Sequence, residues 1–176
     1  MAAAYVAEDA EQIDEARKNH YICTLTKQQE GEGSNFSALD YAGTIDFTDP
    51  AATEWYKGLL RRLLNMGVAA IKTDFGENIH MDAVYKNMKP ELLNNLYALL
   101  YQKAAYEVTK EVTGDGIVWA RAAWAGCQRY PLHWGGDSCS SWDGMAGSLK
   151  GGLHFGLSGF AFWSTTCPDS TLCPTS

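Results

Sequence analysis

The sequence lacks the features by which several classes of protein are recognised. No uninterrupted apolar run approaches the roughly 20 residues that a membrane-spanning helix needs. No cluster of basic residues occurs, and the formal net charge is -7 at pH 7, whereas nucleic-acid-binding domains carry a basic face that meets the phosphates. We therefore expect neither a membrane nor a nucleic acid among the partners of this protein.

The five cysteines and four histidines show no spacing typical of metal ligands. No CxxC pair occurs and the number of cysteines is odd, so neither a zinc site nor a disulfide framework is indicated. We expect reduced cysteines, no metal and no cofactor. The opening stretch MAAAYVAEDAEQ has neither a basic region nor a long apolar region. It does not resemble a secretory signal, so a cytoplasmic location is expected.

What is present suffices for one folded domain, since the chain has 176 residues, of which 46% are hydrophobic and 12% aromatic. Residues 1–40 are polar and are predicted to be irregular, with an exposed loop over Gln28 to Ser37. The next stretch, AGTIDFTDP, predicts a short extended segment. Residues 41–164 then show the alternating patterns of helices and strands, and residues 165–176 form a polar tail.

Three helices are predicted from capping residues and apolar spacing. The first follows Asp49 and Pro50 and ends at Gly67, the second runs from Pro90 to Val112, and the third follows Ser141. Glycines weaken the third helix, which we expect to form only against a sheet. Their apolar stripes are Trp55, Leu59, Leu60, Leu63 and Leu64 in the first, Leu92, Leu96, Leu100, Ala104 and Val108 in the second, and Trp142, Met145, Leu149 and Leu153 in the third.

Apolar runs between these helices predict strands at 68–75, 117–124, 130–134 and 157–164. Strands that alternate with helices favour an α/β fold with a parallel sheet, and continuous apolar runs suit strands covered on both faces. A doubly wound sheet and a barrel both fit this order. In both folds the active groups lie at the carboxyl ends of the strands, where the sequence places Asp74, Arg121, Asp137 and Ser164.

Two of these residues are carboxylic acids, which predicts a specific chemistry. A glycoside is cleaved by one ionised carboxylate, which attacks or stabilises the sugar centre, and one protonated acid, which releases the leaving oxygen. Asp74 and Asp137 would be that pair, with Phe75, Trp134 and Trp163 as apolar walls. These residues alone indicate a sugar-cleaving barrel.

Four motifs narrow this reading to one family. GTIDFTDPAATEWY, MGVAAIKTDFGENI, ARAAWAGCQRYPLHWGGDS and LSGFAFWS follow one another in the chain. In this order they closely resemble glycoside hydrolase family 31, in the branch typified by α-xylosidases. The resemblance implies a (β/α)8 barrel, of which residues 41–164 would hold about strands four to seven with their helices. It also implies a retaining, exo-acting α-glycosidase whose substrate is an α-linked xyloside or glucoside.

The resemblance also implies roles for single residues. Asp74, in KTDFGE, would be the nucleophile, and Asp137, in HWGGD, the general acid/base. Lys72 and Arg121 match positions that contact the sugar in the first subsite. Phe75 and Trp134 match positions in the pocket wall. Many α-glucosidases of the family carry tryptophan where this chain has Lys72, so Lys72 favours the xylosidase-like branch.

Several alternatives stay open from the sequence. Lys72 and Arg121 could be structural ion-pair partners of the two acids. Phe75, Trp134 and Trp163 could pack in the core instead of contacting substrate. The family's early-strand pocket residues and a later histidine have no counterpart here. A catalytically inactive fragment, at most a weak sugar-binding module, is therefore the alternative to an enzyme.

The tail from Thr165 departs from the family pattern. Family members continue with His-Asp and a short stretch that ends in Gly-Phe, whereas this chain reads TTCPDSTLCPTS. One back-translation with a single restored nucleotide yields Ser-His-Asp-Val-Pro-Gly-Phe from Ser164 onward, so we hypothesise that residues 165–176 are a frameshift product. A partial barrel would have two open edges, and we expect self-association through them.

Overall fold

The computed structural model of the chain describes residues 2–25 and 43–165. Its centre is a five-stranded parallel sheet, in the order β1 (Ala2–Ala3), β5 (Ile71–Asp74), β7 (Val118–Ala120), β8 (His133–Trp134) and β9 (Trp163–Ser164). Two antiparallel pairs join β2 (Tyr5–Val6) to β4 (Gly43–Thr44) and β3 (Thr24–Leu25) to β6 (Ala83–Val84). The helices are α1 (Ile13–Lys18), α2 (Pro50–Asn65), α3 (Pro90–Thr113) and α4 (Trp142–Leu157). None of these helices is long and apolar enough to cross a membrane.

The α/β class and the parallel sheet are confirmed, but the expected irregular start is wrong over residues 2–25. This segment supplies an edge strand, β1, which pairs with β5 in the register Ala2 to Thr73 and Ala3 to Asp74. A strand of two residues has no periodicity to read, so its identity depends on the neighbour with which it pairs. The predicted loop from Gln28 to Ser37 lies outside the described residues.

The predicted helix starts are confirmed. The Asp49 side chain accepts a hydrogen bond of 2.9 Å from the backbone N–H of Ala51, so it caps α2 as expected. The Ser141 hydroxyl accepts one of 3.0 Å from the N–H of Gly144 at the start of α4. Caps can be predicted from sequence because the residues that make them are adjacent along the chain.

The predicted stripes of α2 and α3 are confirmed in part. Leu60, Leu64, Ala104 and Val108 are buried, whereas Leu63 and Leu92 are exposed. In α3 two tyrosines enter the core, and their hydroxyls bond to backbone carbonyls. Tyr97 reaches the carbonyls of Ala4 and Ile45 at 3.0 and 2.8 Å. The buried residues are Ala52, Tyr56, Leu60 and Leu64 in α2, and Leu93, Tyr97, Ala98, Tyr101, Gln102, Ala104, Ala105, Val108 and Thr109 in α3.

The strands are shorter than predicted, mainly at the amino end in β5, β8 and β9 and at the carboxyl end in β7. The last one begins only at Trp163, because α4 continues to Leu157 and the chain then turns through Gly159 at a φ of 88°. The apolar residues before Trp163 belong to the end of α4 and to this turn. An apolar run does not by itself distinguish these states.

Helix α4 packs against the sheet by a different face from the one predicted. Trp142, Met145, Leu149 and Leu153 are exposed, Trp142 by 82%. Gly152 faces the sheet instead, where a Cβ atom would lie only 1.6 Å from the ring of Trp163. The missing side chain lets the Trp163 ring lie against the helix backbone.

His133 on β8 lies in an aromatic cluster beneath α4. Its ring meets those of Phe155 and Phe160 edge to face, at centroid distances of 5.4 and 4.8 Å. The side chain is 3% exposed, and its Nε2 has no hydrogen-bond partner among the described residues. Burial lowers the pKa of His133 from the usual 6.5 to about 4, because the charged imidazolium would lose its hydration.

We expect this histidine to make folding pH-dependent. Between pH 6.5 and about 4 the unfolded chain binds a proton at His133 that the folded chain does not, so stability falls as the pH falls through this window. The loss approaches roughly 3 kcal/mol at its acidic end. His133→Phe should flatten the slope in urea unfolding at stepped pH, and His154→Gln, a change at an exposed helix position, should not. An unchanged slope in His133→Phe would contradict the assignment.

Candidate active site

The register of the sheet brings the predicted site residues to one edge. Lys72 pairs with Trp119 and Thr73 with Ala120, and the backbone N–H of Arg121 donates to the carbonyl of Thr73 at 3.0 Å. Asp74 and Arg121 therefore leave neighbouring strands at about the same level. Because side chains alternate between the two faces of a strand, Lys72 and Asp74 share one face.

A tight turn after Asp74 sets the direction of its side chain. Phe75 has a φ of 58° and Gly76 a φ of 90°, and the N–H of Phe75 donates to Asp74 Oδ1 at 3.0 Å. A Cβ atom on Gly76 would lie 2.6 Å from the ring of Tyr101. The Tyr101 hydroxyl in turn contacts the carbonyls of Ala2 and Asp74 at 3.1 and 3.2 Å. Helix α3 thus supports this turn from below.

Asp137 lies in a different environment, on the loop that follows β8. Gly135 keeps this loop paired to β9, since its N–H donates to the carbonyl of Ser164 at 2.8 Å. Gly136 then turns the chain at a φ of 87°. The side chain of Asp137 is 64% exposed and that of Asp74 only 9%. One acid is held within the sheet and the other faces solvent.

The guanidinium of Arg121 joins the two acids. Its Nη1 atom is 3.3 Å from Asp74 Oδ1 and 3.4 Å from Asp137 Oδ2. Its Nη2 atom is 2.9 Å from Glu77 Oε1. The structure therefore brings both predicted catalytic acids to a single nitrogen atom.

Lys72 lies on the other side of Asp74. Its Nζ is 3.9 Å from Asp74 Oδ2 and 3.7 Å from the ring centroid of Trp134. A second ring, that of Trp119, lies 5.6 Å away. Cation–π contacts of this kind hold an ammonium group in place when it is partly shielded from water.

The predicted aromatic walls differ in their contacts. Phe75 lies 4.8 Å below the Arg121 guanidinium and meets the ring of Tyr5 edge to face. Trp134 is buried and contacts both cations, with Arg121 Cζ at 5.8 Å. Trp163 lines a cavity of ≈ 590 Å³ together with Arg121 and Trp134.

Two residues of the site were not singled out from the sequence. Glu77 pairs with Arg121, and Trp119 flanks Lys72. Glu77 belongs to the stretch DFGE, but this stretch does not show with which cation Glu77 pairs. The indole nitrogens of Trp119 and Trp134 are buried, and the described part of the chain offers neither an acceptor.

The site therefore contains three carboxylates and two cations around buried or half-buried aromatic rings. No group of three potential metal ligands comes together in residues 2–25 or 43–165. One carboxylate is shielded and flanked by positive charge, and a second is open to solvent. Such a pair suits a reaction in which one acid attacks as an anion and the other exchanges a proton.

Comparisons with known proteins agree on one family. Residues 1–167 match the model of the glycosyl hydrolases family 31 TIM-barrel domain. An alpha-xylosidase of Emericella nidulans is 43% identical over 125 residues, which are 69% of this chain and 16% of that protein. An alpha-xylosidase of Lactiplantibacillus pentosus is 35% identical over 169 residues, 91% of this chain and 21% of that protein.

A solved structure shows the same architecture. A family 31 sulfoquinovosidase from E. rectale, in complex with an aza-sugar inhibitor, superposes with a TM-score of 0.81 at 28% identity. The match covers 93% of this chain and 26% of that one. The parallel sheet thus corresponds to part of a TIM-barrel domain, and the chain spans about a fifth of the length of the two alpha-xylosidases.

The turn after Asp74 should not tolerate a side chain at Gly76. Gly76→Ala is expected to destabilise the fold by about 1–3 kcal/mol, because the backbone is left-handed there and the new Cβ would meet Tyr101. Gly58→Ala, in the middle of α2 with open space around it, should instead stabilise by up to about 1 kcal/mol. Chemical denaturation of both variants checks the opposite signs. Equal stability of Gly76→Ala and the unmodified chain would contradict this account.

Proposed function

The chain belongs to glycosyl hydrolase family 31, and on that premise we propose that it forms the catalytic part of a retaining, exo-acting α-glycosidase. The observation that carries the proposal is the contact of one Arg121 nitrogen with both Asp74 and Asp137. In retaining enzymes the two carboxyl groups lie about 5–5.5 Å apart, closer than in inverting ones. Two carboxylates that share one nitrogen favour the shorter spacing.

In the first step Asp74 attacks the anomeric carbon, while Asp137 gives its proton to the glycosidic oxygen. The bond from the carbon to the leaving alcohol breaks, and a glycosyl ester of Asp74 forms. Asp74 suits the role of the nucleophile because Lys72 and Arg121 place positive charge beside its carboxylate.

In the second step Asp137 takes a proton from a water molecule, and the resulting hydroxide attacks the anomeric carbon. The ester bond breaks, Asp74 leaves as a carboxylate and the sugar is released with its original α configuration. Asp137 suits this exchange because its side chain is largely open to solvent. The same residue thus serves as acid and then as base.

The substrate we propose is an α-linked xyloside, with an α-glucoside as the second choice. Two relatives are alpha-xylosidases, and Lys72 occupies the position that many α-glucosidases of the family fill with tryptophan. Lys72 and Arg121 donate hydrogen bonds to sugar hydroxyls in this proposal, and Phe75, Trp134 and Trp163 form the wall. The indole N–H groups of Trp119 and Trp134 find acceptors in the same hydroxyls.

We infer that the five parallel strands are consecutive strands of the family's barrel. Strands β5, β7, β8 and β9 are strands four to seven in this assignment, and β1 is the strand before them. The order of the sheet supports this assignment, because its five strands lie side by side in the same order in which they occur along the chain. Right-handed crossovers connect such strands in barrels.

A second candidate function is a sugar-binding unit without turnover. The fact that favours it is coverage, because the matched segment is 16% and 21% of the two alpha-xylosidases. Exposed apolar side chains on α4 also show a surface with no packing partner among the described residues. Binding of xylose without cleavage of aryl xylosides would select this candidate.

Hydrolysis of aryl α-xyloside and aryl α-glucoside by the purified chain tests the proposal directly. Asp74→Gly should reduce kcat at least about 10³-fold, and azide should partly restore cleavage and yield the β-glycosyl azide. The reason is that a small anion can occupy the space of the removed carboxylate. Asp115→Gly, at the opposite end of strand β7, should keep full activity.

Two results would overturn the mechanism. Undiminished activity of Asp74→Gly would give the nucleophile's role to another residue. An NMR time course can show which anomer of the sugar is released first. If the β anomer is released first, double displacement is excluded.

We also propose that the chain self-associates. Strands β1 and β9 end the sheet order, so each has an edge that can pair with another copy. The exposed stripe of α4 adds apolar surface that association would cover. Light scattering after size-exclusion chromatography should show dimers or larger species, and the variant Met145→Glu/Leu149→Glu should shift them toward monomer. A monomer at all protein concentrations would contradict this prediction.

A further inference from the structure

Glu77 is the carboxylate nearest to the central arginine of the site. Its Oε1 atom lies 2.9 Å from Arg121 Nη2, whereas Asp74 and Asp137 approach Nη1 at 3.3 and 3.4 Å. Nitrogen–oxygen distances of 2.7–2.9 Å are typical of strong charge-assisted hydrogen bonds. Of the three acids, Glu77 therefore makes the firmest contact with Arg121.

The turn after β5 explains how Glu77 reaches this position. Phe75 and Gly76 both have positive φ angles, which bend the chain sharply after Asp74. Glu77 then meets the Arg121 guanidinium, and the ring of Phe75 lies 4.8 Å from Arg121 Cζ. The guanidinium is thus fixed by a ring and by an acid at its far end. Its Nη1 atom is left for the two catalytic carboxylates.

The charges of the site give Glu77 a second effect. With Asp137 protonated, as the first step requires, Asp74 and Glu77 carry two negative charges when ionised, and Lys72 and Arg121 carry two positive ones. With Glu77 these charges cancel, whereas without it the site would have a positive excess. Glu77 thus favours a sugar that gains positive charge at its ring as the glycosidic bond breaks.

We propose that Glu77 is a positioning residue, which holds Arg121 between the two catalytic acids and offsets one of the two positive charges of the site. This inference rests on the proposed function, since it assigns Glu77 to the same reaction. Glu77 acts through Arg121 and through its charge, without touching the reacting atoms.

The test compares a cationic with a neutral sugar of the same shape. The probes are a xylose-configured piperidine iminosugar, positively charged at pH 7, and xylose itself, both titrated into the full chain by calorimetry. Glu77→Gln should weaken the binding of the iminosugar by about tenfold relative to that of xylose, because one negative charge near the sugar ring is lost. Glu77→Asp, which keeps the charge, should restore most of the preference.

Glu111→Gln is the matched control. Glu111 also pairs with an arginine, Arg61, at 2.8 Å, but on the outer helices α2 and α3. The Glu111→Gln variant should leave the ratio of the iminosugar affinity to the xylose affinity unchanged. An equal loss for both probes in Glu77→Gln would show a purely structural role and overturn the proposal, as would no loss for either.

A second readout separates this inference from the proposed function. If the unmodified chain binds neither probe, the proposed sugar site fails, and the ¹⁵N signals of the Arg121 guanidinium then decide the role of Glu77. Glu77→Gln should move these signals toward those of a freely rotating arginine, and Glu111→Gln should not. Unchanged Arg121 signals in Glu77→Gln would overturn the positioning role. An Arg121→Lys spectrum assigns the signals.

Discussion

Parallel pairing between β5 and β7 decides where Lys72, Asp74 and Arg121 lie. The register sets Lys72 opposite Trp119 and brings Arg121 to the level of Asp74. Because side chains alternate along a strand, a slip of one residue would turn Lys72 and Asp74 toward α3. Thr73 holds the register from the other face, since its hydroxyl bonds to Gln102 of α3 at 2.6 Å.

From that register follows a site in which the cations are held by aromatic rings as well as by acids. Lys72 lies over Trp134, and Arg121 lies over Phe75. The ring contacts themselves use none of the hydrogen-bond donors of the two cations. The two acids differ in exposure because Asp74 ends a central strand, whereas Asp137 follows Gly136 on a loop. This contrast matches the division of labour between a nucleophile and a proton donor.

Helix α4 shows how the rest of the molecule adapts to the same sheet. It approaches β9 by Gly152, because any side chain there would collide with Trp163. Gly152 is buried on the side of the helix that faces the sheet, whereas Trp142 and Leu149 are exposed.

The sequence by itself determined the features that depend on neighbouring residues. The caps Asp49 and Ser141, the α/β order and the placement of Asp74 and Asp137 after strands all follow from local patterns, and the structure confirms them. Four of the seven predicted site residues, Lys72, Asp74, Arg121 and Asp137, form one chain of ionic contacts. Their roles in catalysis remain proposals.

Only the tertiary structure decided the features that depend on distant contacts. A two-residue strand such as β1 is defined by β5, which lies far along the chain. The buried face of α3 includes Tyr97 and Tyr101, because a tyrosine can enter a core when its hydroxyl bonds to backbone carbonyls. The pairing of Glu77 with Arg121 depends on two strands meeting in space, and no spacing along the sequence encodes that distance.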